Sequence, residues 1–218
     1  MAIVAMKHLC LLGMESEREA LLKAMQDMEC VEISSIDGSE ETLKSGFAKP
    51  DDKALMSAQE ASRAYRTALA SLDRFAPEKK GMFRKRQGVS RAAFFSAESE
   101  ENARTAAETI NKDTRRLGEI ESERTKNEAL RATLAPWLTV DAPLGGADGM
   151  TGTSKENDKA LAENLAALEK ERQEIEQRIA GLGGKREALL EASDRAAITL
   201  RREEAKSRLV GTDKVFLL

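Results

Sequence analysis

Aromatic side chains are scarce in this sequence, which has one Trp, one Tyr and six Phe among 218 residues. Bulky apolar side chains supply most of the area that a globular core buries, so this scarcity argues against one large globule. The sequence is instead 33% charged and rich in Ala, Glu, Lys, Leu and Arg. That composition is typical of long helices that pack along a narrow apolar seam.

Histidine and cysteine are also scarce, and neither sign of charge is in large excess. The formal net charge is −3, from 35 basic and 38 acidic residues. We predict no nucleic-acid partner, because nucleic-acid binders normally have an excess of basic residues. His8 with Cys10 or Cys30 is the only Cys–His dyad available, and no zinc-ligand spacing occurs. We expect a structural His8, buried thiols at both cysteines, and no catalytic, cofactor-binding or metal-binding residue.

Long hydrophobic runs are absent as well. No stretch of about 18 apolar residues occurs, the length that a membrane-spanning helix needs. The N-terminus has neither the apolar core nor the cleavage site of a signal peptide. From the sequence alone we therefore expect a cytosolic chain with reduced thiols.

The first 35 residues have the pattern of a strand, a helix and a second strand. Residues 7–12 form a short apolar run before a glycine, residues 15–28 have apolar positions at helical spacing, and residues 31–35 alternate between apolar and polar. A right-handed crossover would make the two strands parallel. Residues 215–218 are predicted to form a closing strand, the last element of the chain.

Two helices are predicted in the first 134 residues, at residues 51–75 and 98–134. Asp113 lies on the apolar seam of the second helix and weakens it. Residues 135–154 are rich in glycine and predict a flexible linker, with Ser154 as the N-cap of the next helix.

Residues 155–210 carry an uninterrupted heptad pattern, which is a coiled-coil signature. The a positions are Leu161, Leu168, Ile175, Leu182, Leu189 and Ala196, and the d positions are Leu165, Arg172, Ile179, Arg186, Ser193 and Leu200. Arg172 and Arg186 at d positions are expected to fix the register or to mark where a third element covers the seam. Gly181, Gly183 and Gly184 predict a soft point or bend.

These elements predict a mostly helical α+β fold. The last helix is about as long as the two earlier helices together, which favours a hairpin that brings both termini together. Residues 1–50 with 211–218 would form a small α/β lobe. Residues 51–134 and 155–210 would form a long antiparallel coiled-coil arm, with 135–154 as the linker. In an alternative, the helix at 51–75 folds onto the lobe and only the next helix pairs along the arm.

A basic cluster at residues 79–86 (KKGMFRKR) is the best candidate for a binding site, because five of its eight residues are basic. Anionic lipid headgroups, nucleic acid or an acidic partner would suit it, and a solvated loop is the alternative. We favour an acidic protein or the membrane surface, since the rest of the chain has no basic face. The predicted partner-binding residues are Lys79, Lys80, Arg84, Lys85 and Arg86.

Several stretches resemble a known family in their order and spacing. They are residues 1–7 (MAIVAMK), 11–13 (LLG), 17–25 (EREALLKAM), 31–33 (VEI), 135–138 (APWL) and 213–218 (DKVFLL). Together they resemble the cytoplasmic N-terminal region of subunit I of bacterial and archaeal V-type (A-type) ATPases, whose eukaryotic relative is V-ATPase subunit a. None of these stretches is a catalytic fingerprint.

The resemblance implies a dumbbell, in which a proximal and a distal α/β lobe are joined by an antiparallel coiled coil. It implies a stator that couples ATP hydrolysis or synthesis to proton or sodium transport. The implied partners are peripheral-stalk subunits and other V-type ATPase subunits, at the cytoplasmic face of the membrane. Residues 145–154 stand where the distal lobe would be inserted, as a natural or engineered linker. The membrane half is missing too, so we expect a fragment that its missing C-terminal half would join to the membrane sector.

Two other classes of function stay open from the sequence. A coiled-coil adaptor or prefoldin-like chaperone would hold client proteins with exposed apolar helix tips. A small enzyme would use the region of His8 and Cys10.

Overall fold

The computed structural model describes residues 6–28, 30–34, 47–48, 51–78, 88–90, 94–95, 97–141, 143 and 152–218. The helices are α1 (Arg18–Met28), α2 (Lys53–Phe75), α3 (Ala97–Leu134), α4 (Ser154–Gly181) and α5 (Arg186–Ser207). The strands are β1 (Leu12–Met14), β2 (Val210–Gly211) and β3 (Val215–Leu217). The chain is therefore a mostly helical α+β protein, as predicted.

The chain divides into two compact units. The first contains Met1–Arg63 and Ser193–Leu218, and the second contains Ala64–Ala192. None of the described helices is long and apolar enough to cross a bilayer.

The sheet of the first unit is antiparallel, in the order β1–β3–β2. Just before β1, Leu11 and Leu218 exchange two backbone hydrogen bonds of 2.8 and 2.9 Å. The closing strand is confirmed as β3. The predicted parallel pair is wrong, because residues 7–11 and 31–34 are not strands.

Side-chain contacts replace strand pairing at the second predicted strand. The carbonyl of Ile33 accepts a 2.6 Å hydrogen bond from the Arg208 guanidinium, and the Ile33 side chain packs against the core of the unit. The alternating pattern around Ile33 therefore reflects one inward apolar side chain on an irregular segment.

The core of the first unit lies between the sheet and α1. Leu22, Leu209 and Phe216 are each 1–2% exposed and form its centre. Gly13 lies opposite Phe216 in the sheet, and a Cβ at Gly13 would lie 2.6 Å from the ring Cζ of Phe216. A residue without a side chain is thus required where the ring crosses β1.

In the second unit, α3 and α4 pack side by side as an antiparallel pair. Heptad positions supply the seam: Ile179 is fully buried, as are Ile110 and Ile120 on α3. Leu168 and Ile175 are 5% and 3% exposed. The period of the apolar residues thus correctly indicates the packed face.

The helix predicted over residues 155–210 is interrupted. A 3-10 turn at Leu182–Lys185 separates α4 from α5, at the glycines where the sequence predicts a soft point. Glycine lowers helix stability by about 1 kcal/mol relative to alanine, which explains why the regular helix ends there.

The N-cap of α4 is Thr153. The prediction that Ser154 caps this helix is wrong. The Thr153 hydroxyl accepts from the backbone N–H of Glu156, and the Glu156 carboxylate accepts from the backbone N–H of Thr153, which completes a capping box. Ser154 is fully buried as the first helical residue, and its hydroxyl donates to the carbonyl of Trp137 at 3.0 Å. The extended backbone of Thr153 places its side chain, and not that of Ser154, over the free N–H groups.

Candidate functional site

The predicted basic binding cluster lies outside the described residues. Lys79, Lys80, Arg84, Lys85 and Arg86 all fall within residues 79–87, which the structure does not describe. Their role in partner binding stays a prediction.

The histidine and the two cysteines are at the surface. His8 lies on an irregular segment before β1 and is exposed, and Cys10 and Cys30 are exposed free thiols. The expectation of buried thiols is wrong, because the segments on which they lie are not the buried strands that the sequence predicts. No cluster of three or more His, Cys, Asp or Glu side chains suited to a metal ion occurs within the described ranges.

Arginine–carboxylate pairs cross the seam between α3 and α4. The pairs are Arg116 with Glu171, Arg131 with Asp158, and Arg178 with Asp113. Each is bidentate, with N–O distances between 2.7 and 3.2 Å. The planar guanidinium matches the two carboxylate oxygens, which makes such pairs short and strongly directional. We call these three pairs the arginine clamps.

Arginine partners shift the pKa of two clamp carboxylates. The hydrogen bond from Arg131 holds the pKa of Asp158 below its ordinary value, and the hydrogen bond from Arg116 does the same for Glu171. In turn, the hydrogen bond to Asp113 raises the pKa of Arg178. The pairs of Arg131 with Asp158 and of Arg116 with Glu171 therefore favour the charged form of the carboxylate.

The clamp of Asp113 with Arg178 differs in its burial. The side chain of Asp113 is 7% exposed, whereas that of Arg178 is 55% exposed. Asp113 lies one turn from the fully buried Ile110, so its carboxylate enters the seam. Sequence reasoning identified this aspartate as a weakness of the seam but missed its arginine partner on the opposite helix.

The arginine at a d position near the helix break has the role that its spacing predicts. Arg186 is 6% exposed, pairs with Asp73 on α2, and donates to the carbonyl of Ala76 at 2.8 Å. A third element, the end of α2, thus covers the seam. Arg172, the other d-position arginine, pairs instead with acidic residues of its own helix.

Exposed apolar side chains occur in both units of the described chain. Trp137 and Val140 follow the end of α3 and are 54% and 73% exposed. In the other unit, Leu12 and Met14 of β1 are 68% and 57% exposed. Neither group could be predicted from the sequence, because exposed and buried apolar residues have the same pattern in short irregular segments.

Neither the protein-family models nor the curated proteins compared with the chain match it. The site therefore has to be interpreted from its own geometry.

Proposed function

We propose that this chain is a stator element of a rotary V-type ATPase or ATP synthase. It would dock onto peripheral-stalk subunits at the cytoplasmic face of the membrane and hold the catalytic head against the rotor. ATP hydrolysis or synthesis would thereby stay coupled to proton or sodium transport. The sequence resemblance suggests this function, and the three arginine clamps are the observation that supports it best.

The clamps suit a part that transmits load. An apolar seam alone permits helices to slide by one heptad, since each step brings similar side chains together. A bidentate pair is lost when its partners shift by one residue, because both hydrogen bonds need a fixed orientation. Three clamps between the same two helices therefore resist sliding, which a stator requires.

Direct binding to purified peripheral-stalk subunits tests the proposal. We expect the whole chain to bind, and a variant with Gln at the five basic positions of residues 79–86 to bind at least tenfold more weakly. The matched control replaces five exposed basic residues elsewhere, each ion-paired at the surface, with Gln: Lys53, Arg104, Lys155, Lys159 and Lys170.

The outcomes separate the two parts of the proposal. If the unmodified chain does not bind any stalk subunit, the stator function is refuted. If both variants bind as the unmodified chain does, the function stands but the basic segment is not the docking site. Equal weakening of both variants would indicate a general charge effect and would also refute a specific docking site.

An adaptor or chaperone of prefoldin type is the second candidate, and the exposure of Trp137 and Val140 favours it. Such proteins hold clients with apolar residues at helix ends. Replacing both residues with Ser should then abolish protection of an aggregating client protein, whereas replacing Met56, which is 60% exposed on α2, should not. If the unmodified chain gives no protection, this candidate is refuted.

A further inference from the structure

We draw no further inference here: the strongest candidate, the apolar edge of the sheet at β1 with the exposed side chains of Leu12 and Met14, carries none because nothing in the described part of the chain shows what covers it.

Discussion

Removing Arg178 should destabilise the second unit more than removing its partner Asp113. The carboxylate of Asp113 is 7% exposed and receives two hydrogen bonds of 2.7 Å from Arg178. Arg178→Ala leaves this carboxylate in the seam without its donor, which costs about 1–3 kcal/mol. Asp113→Ala leaves a guanidinium that is already 55% exposed and can turn to water, so we expect a loss below about 1 kcal/mol.

Helix propensity also makes Asp113→Ala less destabilising than Arg178→Ala, so it sets the smallest difference in unfolding free energy that supports the argument from burial. Alanine is the better helix former at both positions, and the gain over Asp exceeds the gain over Arg by roughly 0.5 kcal/mol. The difference between the two variants must therefore exceed that amount. The double variant should recover much of the loss seen in Arg178→Ala, because it removes the stranded charge.

Urea unfolding followed by the fluorescence of Trp137 provides the measurement. Trp137 is the only tryptophan of the chain and lies within the second unit. Lys170→Ala is the control, since its 3.9 Å ion pair with Glu174 is exposed on both sides, and it should change the free energy of unfolding by less than about 0.5 kcal/mol. If Asp113→Ala is as destabilising as Arg178→Ala, the argument from burial is refuted.

Three further predictions follow from single contacts. Gly13→Ala should destabilise the first unit by about 1–3 kcal/mol, because the new Cβ would lie 2.6 Å from the Phe216 ring. The control is Gly118→Ala, which has no atom near its Cβ and should stabilise α3 by up to about 1 kcal/mol. Equal effects of the two variants on thermal unfolding would contradict this prediction. The pKa of Glu171 is lowered in the folded chain by the hydrogen bond from Arg116. The ionised carboxylate therefore contributes its full stabilisation above the ordinary glutamate pKa of 4.5, and this stabilisation is lost as the pH falls below that value. A melting temperature that stays constant down to pH 3 would refute this prediction. Thr153→Ala should destabilise α4 by about 1 kcal/mol through loss of the capping box, measured by circular dichroism, whereas Thr153→Ser should have little effect.

Local periodicity predicts the helices well because it depends only on neighbouring residues. The helix predicted at residues 51–75 is observed at Lys53–Phe75, and that at 98–134 is observed at Ala97–Leu134. The apolar face of each helix must be buried, and its spacing of three and four residues is visible in the sequence. The closing strand could be predicted for a similar reason, since Val215–Leu217 is a short apolar run after a turn.

The sheet was mispredicted because strand pairing is not local. Residues 31–34 have the alternation of a strand, but one side-chain donor, Arg208, satisfies the carbonyl of Ile33. The partner of β1 is instead β3, some two hundred residues away in the sequence. A rule that joins successive strands through a crossover predicted the wrong pair. The expectation that residues 1–50 and 211–218 share one lobe did not specify that β1 pairs with β3.

The arginine clamps show the same limit at the level of side chains. The heptad pattern indicates which faces of α3 and α4 meet, but it does not set their offset along the axis. Without that offset no sequence pattern pairs Arg178 with Asp113.

The same reasoning explains why an acidic residue occupies the seam. A leucine at position 113 would bury more apolar area, and an apolar substitute for a buried ion pair is often neutral or stabilising. It would also leave neighbouring registers closer in energy, because every heptad step would bring apolar side chains together. Asp113 disfavours those registers, since a heptad step would bring Glu171 or Lys185 to the position of Arg178, and neither offers a planar guanidinium. We therefore expect the clamp to contribute mainly to a unique register of α3 against α4.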